Sequence, residues 1–275
     1  MKKFWNATGI IVGILLIGGL WFVFTPADIR PAYLKNKIAE KDYAKGKILL
    51  KEMQDTYGGL DNWLAHQTGS YGQIADWYED KLGIAGWDEL PQQFQMTSIL
   101  GTDDSEFILL NGLNKGQTWG VQDWKSYQKN NGQKEFIPNE KYHHKLIYKN
   151  YWFQFPFRVS EAPIIAYAGE GVVKEETYDL LYITWGSEVA NSDFDQYVLY
   201  LDKETRLIEW LHFTLREKVN FAQITAHFTD FKTINGIVSP FTQYITLGPP
   251  EEDGRKMHEN RYQWIQFGEV RVDRK

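Results

Sequence analysis

The last hundred residues constrain the fold most. Segments near 179–186, 195–202, 206–216, 221–232, 237–247 and 260–269 are short, rich in apolar and aromatic residues, and separated by turn signals. Asp202-Lys203-Glu204-Thr205-Arg206 reads as a hairpin turn. Ile234-Asn235-Gly236 contains Asn-Gly, whose tolerance of positive φ suits the tight turns that match strand twist. Runs joined in this way pair with their chain neighbours, which predicts one antiparallel sheet and not a β-α-β fold. Within the runs both faces are apolar. Leu181, Ile183 and Trp185 point one way and Leu180 and Tyr182 the other, while in 206–216 Leu207, Leu211, Phe213 and Leu215 oppose Ile208 and Trp210. A sheet with one wet face alternates more cleanly. The pattern predicts helices packed on one side and a second side closed around more protein or a ligand.

Upstream, the period is first helical. Ala39, Tyr43, Gly46, Leu50, Met53 and Tyr57 recur at steps of three and four and form one stripe, so a helix is predicted over 38–57. Gly58-Gly59 supplies its C-cap, and Asp61 reads as the N-cap of a short turn holding Trp63 and Leu64. From Ser70 the period becomes strand-like, with segments near 70–79, 92–100, 105–111 and 117–128. Gly101-Thr102-Asp103-Asp104 and Asn130-Asn131-Gly132 punctuate them. A second helical stretch, 141–150, runs into Tyr151-Trp152-Phe153-Gln154-Phe155-Pro156-Phe157. Pro156 cannot donate a backbone hydrogen bond, which predicts a bent connection carrying these rings. Flat apolar rings there suit the lid or mouth of an apolar cavity.

The first residues form a different kind of segment. Met1-Lys2-Lys3 precedes an uncharged run from Phe4 to Phe24, with Phe4 and Trp5 at one end and Trp21, Phe22 and Phe24 at the other. At about 1.5 Å per helical residue the run reaches ~31 Å, close to the hydrocarbon thickness of a bilayer. Its terminal aromatics match interfacial belts, and bulky residues stand where a signal peptidase requires small ones, so an uncleaved anchor is expected. Residues 1–3 are then cytoplasmic, 4–24 the transmembrane anchor, 25–35 a juxtamembrane linker broken by Pro26 and Pro31, and 36–275 an extracytoplasmic domain. Gly9 and Gly13 form one G-x-x-x-G, a motif able to bring two such anchors together as a weak dimer.

Reactive chemistry is sparse. The chain has no Cys, which excludes disulfides, thiolate ligands and a Cys nucleophile. Its net charge of −6 lacks the basic footprint of a nucleic-acid binder, so no nucleic-acid partner is expected. Among the six histidines, His143 and His144 are adjacent and diverge on a helix, and no pair has zinc-ligand spacing, so no metal is expected. Gly-x-Ser-x-Gly is absent; Asp103, Asp104 and Glu106, or Asp193 and Asp195, sit at predicted turns, and Gly169-Glu170-Gly171 reads as a loop. No catalytic residue, no cofactor and no enzymatic activity are assigned.

Four stretches together carry a resemblance. They are Tyr57-Gly58-Gly59-Leu60-Asp61-Asn62-Trp63, the aromatic run 151–157, Tyr197-Val198-Leu199-Tyr200-Leu201-Asp202 continuing through Thr205-Arg206-Leu207-Ile208, and Phe231-Lys232-Thr233-Ile234-Asn235-Gly236-Ile237-Val238-Ser239-Pro240. In that order the chain resembles the lipoprotein-carrier superfamily, the Lol-type carriers and lipid-binding mycobacterial lipoproteins, in a divergent bacterial branch. The resemblance implies an α+β fold: a strongly curved antiparallel sheet, an unclosed β-barrel, with helices covering its concave face and lipid acyl chains held beneath them. The chain departs from the pattern by keeping a membrane span, and no basic residue matches the carriers' functional positions. The expected ligand is a lipid or other apolar molecule, with Trp152, Phe153, Phe155, Phe157, Trp185 and Trp210 as cavity or lid residues. The alternative is a non-catalytic envelope interaction module whose core is filled by its own side chains.

Overall fold

The computed structural model describes residues 25–35, 37–78, 85–217, 219–251 and 254–274. The span predicted over 4–24, with Gly9 and Gly13, lies outside them. Among the described residues no helix is long and apolar enough to cross a membrane. The strands are β1 (Thr68–Trp77), β2 (Gln92–Ile99), β3 (Ser105–Leu109), β4 (Thr118–Gln122), β5 (Lys125–Asn130), β6 (Gln133–Phe136), β7 (Ile164–Val173), β8 (Glu176–Thr184), β9 (Gln196–Asp202), β10 (Ile208–Leu215), β11 (Val219–Ile234), β12 (Ile237–Leu247), β13 (Lys256–Phe267) and β14 (Val270–Asp273). The helices are α1 (Glu40–Thr56), α2 (Leu60–Ala65) and α3 (Glu140–Arg158).

All strands join one antiparallel sheet in the order β6-β5-β4-β3-β2-β1-β13-β12-β11-β10-β9-β8-β7, with β14 paired to β13. Strands β6 and β7 are the two ends of this order, so the sheet is unclosed. The chain passes from one edge to the other through α3. Near the N-terminus of α3, Tyr142 packs on Trp119 of β4; near its C-terminus, Phe155 packs on Tyr197 of β9. At about 4.8 Å per strand step, β4 and β9 would stand ~38 Å apart in a flat sheet, whereas α3 rises only ~20 Å between Tyr142 and Phe155. One helix touches both because the sheet bends around it.

Two cores result. The inner one combines α3 with the concave face, including Phe94, Phe107, Leu181, Ile183, Leu211, Phe213 and Phe241. The outer one lies on the opposite face of β7–β10, where Ala166, Leu180, Tyr182, Val198 and Trp210 meet Ile29, Leu34 and Ile38. The stretch 25–35, expected to be a linker, is therefore docked: Ala27 N–H donates to Asn220 O (3.0 Å), Ile29 N–H donates to Gln196 Oε1 (3.0 Å), and Arg216 donates to Ala27 O. Helix α1 straddles the β7 edge. Its Leu49, Leu50 and Met53 join the inner core, and Tyr43 packs on the outer one. A Cβ on Gly46 would stand 2.7 Å from Ala166 Cα, so glycine is what lets α1 lie against the β7 backbone.

Several expectations are corrected. Pro156 does not end the helix: α3 runs through it to Arg158, forgoing the one bond a Pro156 N–H would have made to the Trp152 carbonyl. The free carbonyls there are engaged by Gln54, whose Nε2 donates to Phe157 O at 3.0 Å. The segment near 117–128 is two strands, β4 and β5, split by Asp123 and Trp124 at φ 47° and 61°. Gly169-Glu170-Gly171 is part of β7, beside a bulge between Tyr167 and Glu170, and not a loop. In β10 a register shift between Ile208 and Trp210 turns Ile208 inward, so Ile208 and Trp210 sit on opposite sides of the sheet.

Candidate ligand-binding site

The concave face is the hollow that the sequence anticipates, and α3 fills it. Trp152 stacks on Phe155 (5.7 Å between centroids) and meets Phe213 edge-on (5.2 Å). Phe153 lies parallel to Phe267 at 5.6 Å and tilted on Tyr71 at 4.6 Å, and Phe157 stacks on Trp63 of α2 at 4.7 Å. The space left between these rings and the floor, formed by residues such as Phe228, Gln243, Tyr262 and Ile265, measures about 20 Å³. That is room for about one water molecule, against ~300–1,000 Å³ for a typical ligand pocket. Trp185 stands half-buried at the margin of the same core, edge-on to Tyr197 at 4.9 Å. Trp210 is elsewhere: it belongs to the outer core and stacks on His227 at 3.7 Å. The hollow thus brings together Trp152, Phe153, Phe155 and Phe157, with Trp185 at its margin and Trp210 on the other face, where it alternates with the inward Leu211 and Phe213.

The stretches that carry the family resemblance converge at one corner. Tyr57 is buried, its carbonyl accepting from Val238 N–H at 3.0 Å and its hydroxyl accepting from Ile208 N–H at 3.3 Å. A Cβ on Gly58 would meet Gly236 O at 2.1 Å, and Gly58 has φ +113°, so both space and backbone demand glycine there. Trp63, Phe157, Ile208 and Ile237 close the same corner around the small hollow.

A polar arrangement missed in the sequence fixes α3. Asn150, Gln154 and Arg158 recur every four residues and so share one helix face, where all three donate to the carbonyl of Thr102 at 2.9, 3.1 and 3.3 Å. Gln154 Oε1 accepts from Gly101 N–H at 2.7 Å, and Arg158 pairs with Asp103 at 2.6 Å. The β2–β3 turn is therefore clamped onto the helix, and Asp103 is a helix partner instead of a solvated turn residue. The period-four polar stripe was present in the sequence but masked by the rings around it.

Lys149, one turn before the aromatic run, is the second polar feature. It is buried in the inner core, where its ammonium donates to Asn260 Oδ1 at 2.6 Å and lies 5.8 Å from the Phe94 ring centre. Burial, reinforced by the nearby Lys145 charge, lowers its pKa to about 7. His258, two residues from Asn260 along β13, is buried against Trp77 (4.5 Å) and stays neutral well below the usual histidine range, because burial and then Lys149 disfavour its charge. His143 and His144 face other neighbours: His143 Nδ1 lies 3.1 Å from Ser126 Oγ, and His144 lies 3.7 Å from Glu217. Among the described residues no cluster of His, Asp or Glu has the geometry to hold a metal.

No family model and no curated protein matches the chain. Solved structures do match in fold. A LolA superfamily protein from Nitrosomonas europaea aligns with TM-score 0.51 at 9% identity, covering 81% of this chain and 93% of that one. A putative outer membrane lipoprotein-sorting protein domain from Vibrio parahaemolyticus gives 0.50 at 9% identity, with 83% and 94% covered. A DUF1329 family protein from Desulfovibrio piger gives 0.50 at 12% identity, with 82% and 93% covered. With an unclosed antiparallel sheet bent around an aromatic helix, the chain shares its fold with the LolA superfamily protein and the lipoprotein-sorting domain.

Proposed function

We propose that this domain holds one apolar chain, such as a lipid acyl group, between α3 and the concave sheet, and that the 4–24 segment tethers it to the membrane with the domain on the extracytoplasmic side. The observation that carries the reading is that four rings of α3, Trp152, Phe153, Phe155 and Phe157, fill the hollow and meet an aromatic and aliphatic floor. A chain taking their place would exchange like for like, at roughly 0.8 kcal/mol per methylene removed from water. The fold shared with a lipoprotein-sorting domain agrees with this use of the concave face. Entry requires α3 to withdraw from the floor, since the hollow at rest measures about 20 Å³.

The same small volume favours a second reading, in which the core is permanently self-filled and the domain is an envelope interaction module. One experiment separates them. The full chain is purified in nonionic detergent, bound lipids are identified by mass spectrometry, and hydrogen exchange of α3 is followed with and without added long-chain lipid. Stoichiometric lipid, together with altered protection across 149–158, is the expected result. Lipid-free protein with unchanged protection overturns the carrier reading and leaves the interaction module.

A further inference from the structure

We propose, resting on the acyl-chain reading above, that the hollow also recognises the acidic head of its guest, a carboxylate or phosphate, through the ammonium of Lys149 and the ring of His258. Lys149, Phe153 and Phe157 lie four residues apart and share one stripe of α3. An acyl chain laid along that stripe ends at the lysine. Phe153 of the stripe packs on Tyr71 of β1 and Phe267 of β13, and Lys149 meets Asn260 of β13, so the stripe lies over the seam between these two paired strands.

The charges at this seam are unbalanced. Among the described residues no carboxylate pairs with Lys149, and the charged group acting on it is a second cation, Lys145. Burying an ammonium without a counter-ion is one of the costlier arrangements a core can hold. His258 Nε2 is buried without a partner, on the same strand as Asn260. From the small hollow, a polar track leads to this point: Gln243 Nε2 donates to Tyr262 Oη at 3.3 Å, and Asn260 Nδ2 donates to Gln243 Oε1 at 3.3 Å. Gln243 and Tyr262 also line the hollow itself. The titratable and charged groups around Lys149 are Lys145 on its own helix, His258 and Tyr262 on β13, and Tyr71 on β1, whose hydroxyl lies 3.4 Å from Lys149 O. None of these is an acid. A buried cation, a ring nitrogen without a partner and an apolar stripe ending between them are complementary to an amphiphilic anion.

The test compares decanoate, decyl phosphate, decanol and inorganic phosphate binding to the full chain in nonionic detergent by calorimetry at about pH 6, below the Lys149 pKa of about 7. At least one acidic amphiphile should bind about tenfold or more tighter than decanol, the range of a charge-assisted hydrogen bond. The tighter of the two names the headgroup. In Lys149→Met this advantage should vanish while decanol binding persists, and in His258→Gln it should shrink. Decanol binding as tightly as both acids overturns the inference and leaves the acyl-chain reading standing; no binding by any amphiphile ends both. Inorganic phosphate competing as well as decyl phosphate overturns the headgroup assignment in favour of a free-anion site. Should Lys149→Met not fold, the unmodified chain suffices: the acidic advantage must fall as pH rises from about 6 to about 10, and a flat profile overturns the proposal.

Discussion

The two faces of the sheet are both buried, yet they are covered in different ways. The outer face of β7–β10 is closed by residues 25–35 and by Ile38, with Ile29, Leu34 and Ile38 packed on aliphatic and tyrosine side chains. Polar tips on that side reach the rim: Tyr178 donates to Glu209 at 2.8 Å and Tyr182 to Glu188 O at 3.2 Å. The concave face is closed chiefly by α3, which carries a buried lysine, a clamped polar stripe and a dense set of rings, with α1 and Trp63 of α2 beside it. An outer cover of this kind behaves as ordinary core. The inner cover differs in burying one group that costs stability, the Lys149 amine.

Substitutions on the two sides put that contrast at risk. The largest effect is expected for Trp152→Ala, a loss of about 3–5 kcal/mol in urea unfolding together with weakened lipid binding. Leu34→Ala in the outer cover should cost about 2–3 kcal/mol and leave lipid binding and α3 exchange unchanged. Equal disturbance of α3 by both variants would show one cooperative unit and erase the distinction. Gln154→Ala, which unclamps the β2–β3 turn, should cost about 1–3 kcal/mol and speed hydrogen exchange over 150–158 more than over α1.

The pH dependence sharpens the comparison further. Burial lowers the pKa of His258 well below its ordinary value, and lowers that of both His212 and His227 to about 4. Below the ordinary histidine pKa the unfolded chain binds protons that the folded chain refuses, so urea stability should fall as pH drops from about 6.5 toward 4. Lys149, whose folded pKa is about 7, acts over another window. There the unfolded chain again binds more protons, and stability should rise between about pH 7 and 10. Lys149→Met should flatten that rise and leave the acid limb intact; an unaltered rise would show that the lysine does not set it. The smallest effect belongs to the exposed Lys51–Asp55 pair (2.6 Å), where Lys51→Ala should change stability by less than about 0.5 kcal/mol.

Much of the C-terminal meander was legible because period-two alternation and hairpin turns are local signals. The Asn235-Gly236 turn joins β11 to β12 with both residues at positive φ, as the dipeptide demands. Leu181 and Ile183 face inward and Leu180 and Tyr182 outward, as read. Ile208 escaped because the shift of register between it and Trp210 breaks the alternation at that point, and nothing in the local sequence marks it. Strand β7 was hidden by its two glycines, which accommodate a bulge. The conformation of the aromatic run was misread: α3 continues through Pro156 to Arg158 and forgoes the single bond the proline cannot donate. Asn150, Gln154, Arg158 and Lys149 were overlooked as polar residues among rings, since their partners lie on a turn and a strand distant in sequence.

The route of α3 from β6 to β7 has a mechanical consequence. The helix is tied to the sheet at both ends of its bend, as a string is to a bow. Anything that wedges beneath the string must either slacken it or flex the bow, so occupancy inside would be broadcast to the two open margins. The spacing between those margins, measurable with labels on introduced cysteines in a chain that has none of its own, is then a readout of what the hollow contains.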